Sequence, residues 1–129
     1  MTEGQEQEII FKWADLQTAI MPELKLLNGS LNGVKLSIGS AMKAKRQGMR
    51  KGYPDIALPI ARAGYHGLFI ELKKDKGGRP SKEQKEWLAE LNRQGYLALC
   101  IHGSKLSIDV IKMYLRGDSV GLSRLIAIK

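Results

Sequence analysis

Two acidic residues and a lysine stand at the ends of apolar segments, where they could together bind a divalent metal ion. Asp55 begins "DIALPIA", and Glu71 and Lys73 lie at the end of "LFIELK". Because side chains alternate faces along a strand, Glu71 and Lys73 would share one face. A hairpin of residues 55–61 and 68–73 would bring Asp55 beside Glu71. Converging carboxylates repel each other where water is scarce, and a hard cation such as Mg²⁺ removes that repulsion.

The same residues also allow a purely structural interpretation. Glu71 and Lys73 could lie on the solvated face of an edge strand, and Asp55, which follows Pro54, could be an ordinary turn residue. Because E-x-K is a common tripeptide pattern, the spacing alone leaves both interpretations open.

The pattern of apolar residues predicts the elements that would position these side chains. Helical spacing predicts a first helix over residues 3–20 with Thr2 as N-cap, and weak alternation predicts a short strand at 34–39. The other predicted elements are a basic loop or short helix at 41–52, strands at 55–61, 68–73 and 96–101, a helix between Ser81 and Gly95, a helix at 107–115 capped by Ser107, and a tail at 121–129 that is a strand or an interface segment. A helix between two strands indicates a βαβ crossover, so we expect an α/β domain with a mixed sheet.

The charge of the chain indicates a polyanionic partner. Its 129 residues carry a formal net charge of +8, which fits one domain that binds nucleic acid, with a merely solvated basic surface as the alternative. The single Cys100 argues against a disulfide framework and indicates a reducing compartment. The polar N-terminus argues against a signal peptide, and no apolar run approaches the roughly 18 residues of a membrane span.

The stretch "GYPDIALPIARAGYHGLFIELKKDKGGRPSKEQKEWLAELNRQGY" closely resembles the VRR-NUC family of virus-type replication-repair nucleases, within the PD-(D/E)xK superfamily. The motifs that carry the resemblance are G-x-P-D, Y-H-G-L-F-I-E-L-K, G-G-R-x-S-x-E-Q and a following G-Y. The resemblance implies one nuclease domain over residues 1–129, with a core at about 3–115 and a mixed central sheet flanked by helices. It also implies a Mg²⁺- or Mn²⁺-dependent enzyme acting on branched DNA, with stand-alone relatives that resemble dimeric four-way junction resolvases.

The resemblance also assigns roles to individual residues. It implies that Asp55, Glu71 and the carbonyl of Leu72 hold the metal and that Lys73 is the catalytic lysine. Gln84 matches the family's motif glutamine, although the residues alone would equally allow the second half of a capping box. In the first helix, Glu3 and Gln7 match an acidic residue and a glutamine one turn apart, with Glu6 as the rival of Glu3. The DNA-binding candidates are Lys43, Lys45, Arg46, Arg50, Lys51, Arg79 and Lys82.

A four-way junction is approximately two-fold symmetric and needs two cuts, so one metal site per chain leads us to expect a homodimer. The apolar tail from Val120 to Ile128 is a candidate interface, and packing on its own domain is the alternative. The resemblance fits a cytoplasmic protein of bacterial or phage origin that is nucleoid-associated when bound to DNA. Two other functions stay open, namely a basic DNA-binding protein with a degenerate site and an interaction module that binds no nucleic acid.

Overall fold

The protein, as a computed structural model, is described over residues 1–30 and 35–128. In chain order the elements are α1 (Glu3–Gln17), a 3-10 helix (Pro22–Leu26), β1 (Asn28–Gly29), α2 (Ile38–Arg46), β2 (Ile56–Leu58), β3 (Leu68–Lys73), α3 (Lys82–Arg93), β4 (Leu97–His102), α4 (Ser104–Arg116) and α5 (Ser119–Ile128). The described strands form one mixed sheet in the order β1-β2-β3-β4, with helices packed on it. This architecture confirms the predicted α/β fold of the PD-(D/E)xK type.

The centre of the sheet is a hairpin followed by a crossover. β2 and β3 pair antiparallel, and the chain turns between them at Ala63 and Gly64, which have φ angles of 53° and 86°. Such left-handed conformations suit a tight hairpin turn. β3 and β4 pair in parallel, and α3 connects them along the chain. Both the hairpin and the βαβ unit are therefore as the sequence predicted.

The two faces of β3 have different environments. Leu68, Ile70 and Leu72 are buried in the main core against α1 and α4, together with Leu97, Leu99, Ile101, Ile10, Val110 and Ile111. The opposite face carries Phe69, Glu71 and Lys73, and it lies toward α3, where the ring of Tyr53 bridges Phe69 and Trp87 at centroid distances of 5.9 and 5.0 Å. The charged residues of β3 are thus kept out of the main core by strand alternation.

The structure corrects several predicted elements in the first half of the chain. No strand lies over the described part of 34–39, because Ser37 caps α2 and Ile38 begins that helix, while Val34 lies outside the described residues. The first helix ends at Gln17, and the predicted strand at 55–61 shortens to Ile56–Leu58. In the turn-rich segment after the first helix, Asn28 and Gly29 pair with β2.

The start of α4 differs from the sequence prediction. Ser107 is not its cap, because α4 begins at Ser104, with Gly103 at φ 90° as the N-cap residue. The Oγ of Ser107 instead donates to the carbonyl of Gly103 at 2.8 Å, inside the first turn. Backbone geometry at the end of β4 therefore sets the start of the helix three residues earlier than the serine pattern suggested.

The tail forms the helix α5, so the strand interpretation is wrong. Leu122 is only 2% exposed and belongs to the hydrophobic core. Leu125 and Ile126 pack against it, whereas Val120 is 63% exposed. Much of the tail's apolar surface is thus covered by its own chain. No helix in the described part of the chain is long and apolar enough to cross a membrane.

Candidate active site

The hairpin register fixes Asp55 over the end of β3. The last pair between β2 and β3 is Ile56 with Ile70, so Leu72 lies beyond the ladder that joins these two strands. The N–H of Leu72 donates instead to the Oδ2 of Asp55 at 2.8 Å. Because the N–H and C=O of one strand residue point to the same side, the Leu72 carbonyl lies on the strand edge that faces Asp55. The structure therefore brings together all three groups that the family resemblance implies for the metal.

Glu71 is a buried carboxylate with one oxygen unsatisfied. The residue is 1% exposed, and its Oε1 has no hydrogen-bond donor among the described residues. Burial, followed by the proximity of the Asp55 carboxylate, raises the pKa of Glu71 from 4.5 to about 8, although Lys73 acts in the opposite direction. Because two neighbouring buried carboxylates repel each other, the metal-free pair favours one protonated member.

Lys73 connects the strand pair to the first helix. Its side chain is nearly buried, and its Nζ lies 3.3 Å from the Oε2 of Glu71 and 4.0 Å from the Oε1 of Glu3. Glu3 lies in the first turn of α1, and its side chain is 45% exposed. A cation beside two carboxylates keeps the cluster from having a large net negative charge.

The donor set fits a hard divalent cation. The unsatisfied Oε1 of Glu71, the neighbouring Asp55 carboxylate and the nearby Leu72 carbonyl are all oxygen ligands. Among residues 1–30 and 35–128, no three His, Cys, Asp or Glu side chains gather into a metal-binding cluster. One or two carboxylates completed by water and phosphate oxygens are what Mg²⁺ prefers, and Asp55 and Glu71 are two such carboxylates.

A cleft of about 350 Å³ opens beside Asp55, between α1 and the end of β1. Glu3 and Gln7 lie along it, as do Phe11 and Ser30, which the sequence analysis did not select. Phe11 follows Gln7 by four residues and so lies on the same face of α1, a spacing that could have identified it. Ser30 reaches the site because its N–H donates to the carbonyl of Asp55 at 2.8 Å, a long-range contact without a local signal.

A family model of the VRR-NUC domain matches residues 1–105. The chain belongs to the VRR-NUC family. A solved structure described as a VRR_NUC domain protein is 32% identical, covers 90% of this chain and 89% of its own, and superposes with a TM-score of 0.75. No curated protein matches the chain significantly. Membership in the VRR-NUC family indicates a nuclease.

Within this VRR-NUC domain, Glu3 and Glu6 have different surroundings. Glu3 lies beside Lys73 and the cleft. Glu6 is 4% exposed, and its two oxygens already accept hydrogen bonds from the N–H of Asp75 and from the N–H and Oγ of Ser104. The side chain of Gln7 lies against Gly29, where an added Cβ would be 2.7 Å from its Nε2. Glu3 and Gln7 therefore line the cleft beside Asp55, whereas the carboxylate of Glu6 is bonded to Asp75 and Ser104.

Gln84 forms the capping box of α3 in this VRR-NUC domain. Its Oε1 accepts from the N–H of Ser81 at 2.8 Å, and its own N–H donates to the Oγ of Ser81 at 3.1 Å. The first turn of α3 is close to the segment that leads to Asp55, because a Cβ on Gly52 would lie 2.9 Å from the backbone nitrogen of Gln84. The structure thus brings the backbone of Gln84 near the site and engages its carboxamide oxygen in the cap.

The basic candidates for DNA contact are all exposed. α2, which carries Lys43, Lys45 and Arg46, has no buried residue. Lys51 lies 3.8 Å from Glu83, a weak exposed ion pair. Arg50, Arg79 and Lys82 are also exposed, so the seven side chains are accessible to phosphate.

Proposed function

We propose that this VRR-NUC protein is a Mg²⁺- or Mn²⁺-dependent endodeoxyribonuclease that hydrolyses phosphodiester bonds in branched DNA, with the four-way junction as its main substrate. The single observation that carries the proposal is the buried, unsatisfied oxygen of Glu71 beside Asp55 and Lys73. A buried polar atom without a partner is costly, so its presence at the end of a rigid strand favours a functional site. We treat residues 1–129 as one nuclease domain.

Asp55, Glu71 and the Leu72 carbonyl would hold the metal ion. When bound, such an ion polarises the phosphoryl oxygens and lowers the pKa of its water. Asp55 is already oriented by the Leu72 N–H, and Glu71 is oriented by Lys73. The chain therefore fixes the direction of both carboxylates before any ligand arrives.

Lys73 is the group best placed to act in the chemical step. Its Nζ lies between Glu71 and Glu3 at the end of β3, so its charge has a fixed position beside the proposed metal ligand Glu71. A preorganised cation stabilises negative charge that develops in the transition state. Glu3 holds the lysine from the α1 side, and we therefore assign Glu3 rather than Glu6 to the site. Gln7 lines the cleft beside Asp55, and we assign Gln7 and Gln84 to orienting the substrate strand.

Net charge and exposed basic residues support DNA as the substrate. The chain carries a formal charge of +8, and α2 holds Lys43, Lys45 and Arg46 with no acidic residue in its first turn. The other proposed phosphate contacts are Arg50, Lys51, Arg79 and Lys82. Phosphate contacts supply most non-specific affinity for DNA. The protein would act in the cytoplasm of a bacterium or a phage-infected cell.

Two-fold symmetry of the junction supports a homodimer with one site from each copy. One chain has a mass of 14.4 kDa and carries one Asp55–Glu71 pair. Light scattering at micromolar concentration would then give about twice the chain mass. A monomeric mass across a dilution series, together with complete junction resolution, would contradict the dimer.

Cleavage assays on a labelled four-way junction, a flap and a plain duplex test the proposal. We expect the wild type to cut the junction with Mg²⁺ and not with EDTA, and we expect Asp55→Asn and Glu71→Gln to bind the junction without cutting it. Asp15→Asn is the matched control, since Asp15 is an exposed acid of α1. If the wild type binds DNA but cuts it with none of the divalent metals, the result would favour a DNA-binding protein with a degenerate site. If the wild type is not retained on DNA at low salt, the result would favour an interaction module.

A further inference from the structure

The buried carboxylate of Glu6 connects three elements around the proposed site, namely α1, the segment after β3 and the start of α4. It continues the buried stripe of α1, one turn before Ile10, where an apolar residue would be expected. Its Oε2 accepts from the N–H of Asp75 at 3.1 Å, and its Oε1 accepts from Ser104, from the N–H at 3.2 Å and the Oγ at 2.9 Å. A nearly buried carboxylate is unfavourable unless its oxygens are satisfied, and here the two oxygens accept three hydrogen bonds.

These hydrogen bonds connect the carboxyl ends of β3 and β4. Asp75 follows Lys73 by two residues, and Ser104 begins α4 two residues after β4 ends at His102. The N–H of Gly103 donates to the carbonyl of Lys73 at 2.9 Å, which closes the connection between the two strand ends. The N-cap residue Gly103 has no side chain to cap α4, so the carboxylate of Glu6 satisfies a first-turn N–H and lies at the positive end of the helix dipole.

We propose that Glu6 is a positioning residue that fixes the start of α1 relative to the end of β3 and so sets the Glu3–Lys73 contact. This inference rests on the proposed function. Glu3 lies one turn before Glu6 on α1, and Lys73 lies two residues before Asp75 on the strand side. Both members of the 4.0 Å contact are therefore held through the same carboxylate. Residues that orient catalytic groups commonly contribute strongly to activity without touching the substrate.

Glu6→Gln keeps the side-chain size but replaces one acceptor with a donor, so either the Asp75 N–H or the Ser104 N–H loses its partner. We expect kcat on the four-way junction to fall about 10–100-fold with little change in KM. In a Glu3→Gln background we expect the same substitution to have little further effect, because Glu6 acts through Glu3. An equal fold loss in both backgrounds, or no loss in either, would overturn the proposal.

Amide hydrogen exchange supplies a readout that needs no catalysis. In Glu6→Gln, exchange should become faster at the Asp75 or the Ser104 amide, whichever loses its acceptor, while Asp15→Asn, which changes charge at an exposed position of the same helix, should leave both amides protected. Unchanged protection in Glu6→Gln would overturn the inference even in a protein that cuts no DNA. If Glu6→Gln does not fold, Ser104→Ala is the second variant, because it removes only one of the three hydrogen bonds. Ser104→Ala should lower kcat by a smaller factor than Glu6→Gln, and in the Glu3→Gln background it should leave kcat nearly unchanged. Failure of the wild type to cut DNA would instead contradict the proposed function.

Discussion

At the residue scale, Glu71 makes the metal-free protein sensitive to pH. Its pKa is raised from 4.5 to about 8, chiefly by burial and then by Asp55. Between these two values the folded protein holds a proton that the unfolded chain releases. The free energy of unfolding of the metal-free protein should therefore fall as pH rises from about 5 to about 8.

Glu71→Gln should remove much of this pH dependence, because glutamine does not ionise. Urea denaturation in EDTA at several pH values measures the effect, with the wild type and Asp15→Asn as the two references. Saturating Mg²⁺ should restore stability most at high pH, where the carboxylate form is available to the cation. Parallel curves for the wild type and Glu71→Gln would show that Glu71 does not carry the proton.

Lys73 should affect the chemical step rather than DNA affinity. Its Nζ is held by Glu71 and Glu3 in a nearly buried position, so few orientations are open to it for a general phosphate contact. Lys73→Ala should lower kcat by about 100-fold or more with little change in KM. Steady-state kinetics on the junction tests this, and an intact kcat with weakened binding would make Lys73 a phosphate contact instead.

At the element scale, the segment that leads to Asp55 packs tightly on the start of α3. Gly52 has a φ of 90°, and a Cβ there would lie 2.7 Å from the backbone carbon of Glu83. Gly52→Ala should therefore destabilise the protein by about 1–3 kcal/mol, through strain and displacement of the helix start. Chemical denaturation measures the change.

The matched control for this substitution is Gly39→Ala in α2. Gly39 has no neighbour within 4 Å of an added Cβ and no positive φ, so alanine should stabilise its helix by about 0.5–1 kcal/mol. Equal effects of the two substitutions would contradict the account of Gly52.

Local signals predicted some elements because their causes lie within a few residues. The capping box of Ser81 and Gln84 and the turn at Ala63 and Gly64 are interactions of near neighbours, so the helix α3 and the hairpin could be predicted. The start of α4 could not, because Ser107 fits a cap pattern as well as Gly103 does, and the end of β4 decides between them. For the tail, apolar composition allowed a strand, and only the burial of Leu122 shows a packed helix.

The candidate site was predictable to a similar degree. Asp55, Glu71 and Lys73 came from strand alternation and a hairpin, both local properties. The surroundings of Glu6 were not predictable, since its partners lie 69 and 98 residues away along the chain. Sequence could therefore propose Glu3 and Glu6 as rivals but could not separate them.

At the scale of the whole molecule, the positive charge should govern DNA affinity. Lys43 and Lys45 lie on α2, which has no buried residue. Replacing both with alanine should make the plot of log affinity against log salt less steep by about 0.9 for each lost phosphate contact. Lys12→Ala with Lys105→Ala removes the same charge from exposed positions on other helices, and it should leave the slope nearly unchanged. Equal slopes for the wild type and the α2 variant would show that DNA binds at another surface of the protein.

The central claim is that the Asp55–Glu71 pair binds a divalent cation, and calorimetric titration of Mn²⁺ into the protein at pH 7 tests it most directly. At this pH, a pKa of about 8 keeps Glu71 largely protonated. We predict binding that releases about one proton, measured by repeating the titration in buffers of different ionisation enthalpy. Glu71→Gln should lose both the binding and the proton release, whereas Asp15→Asn should keep them. Binding to Glu71→Gln as tight as to the wild type, with the same proton release, would contradict the claim.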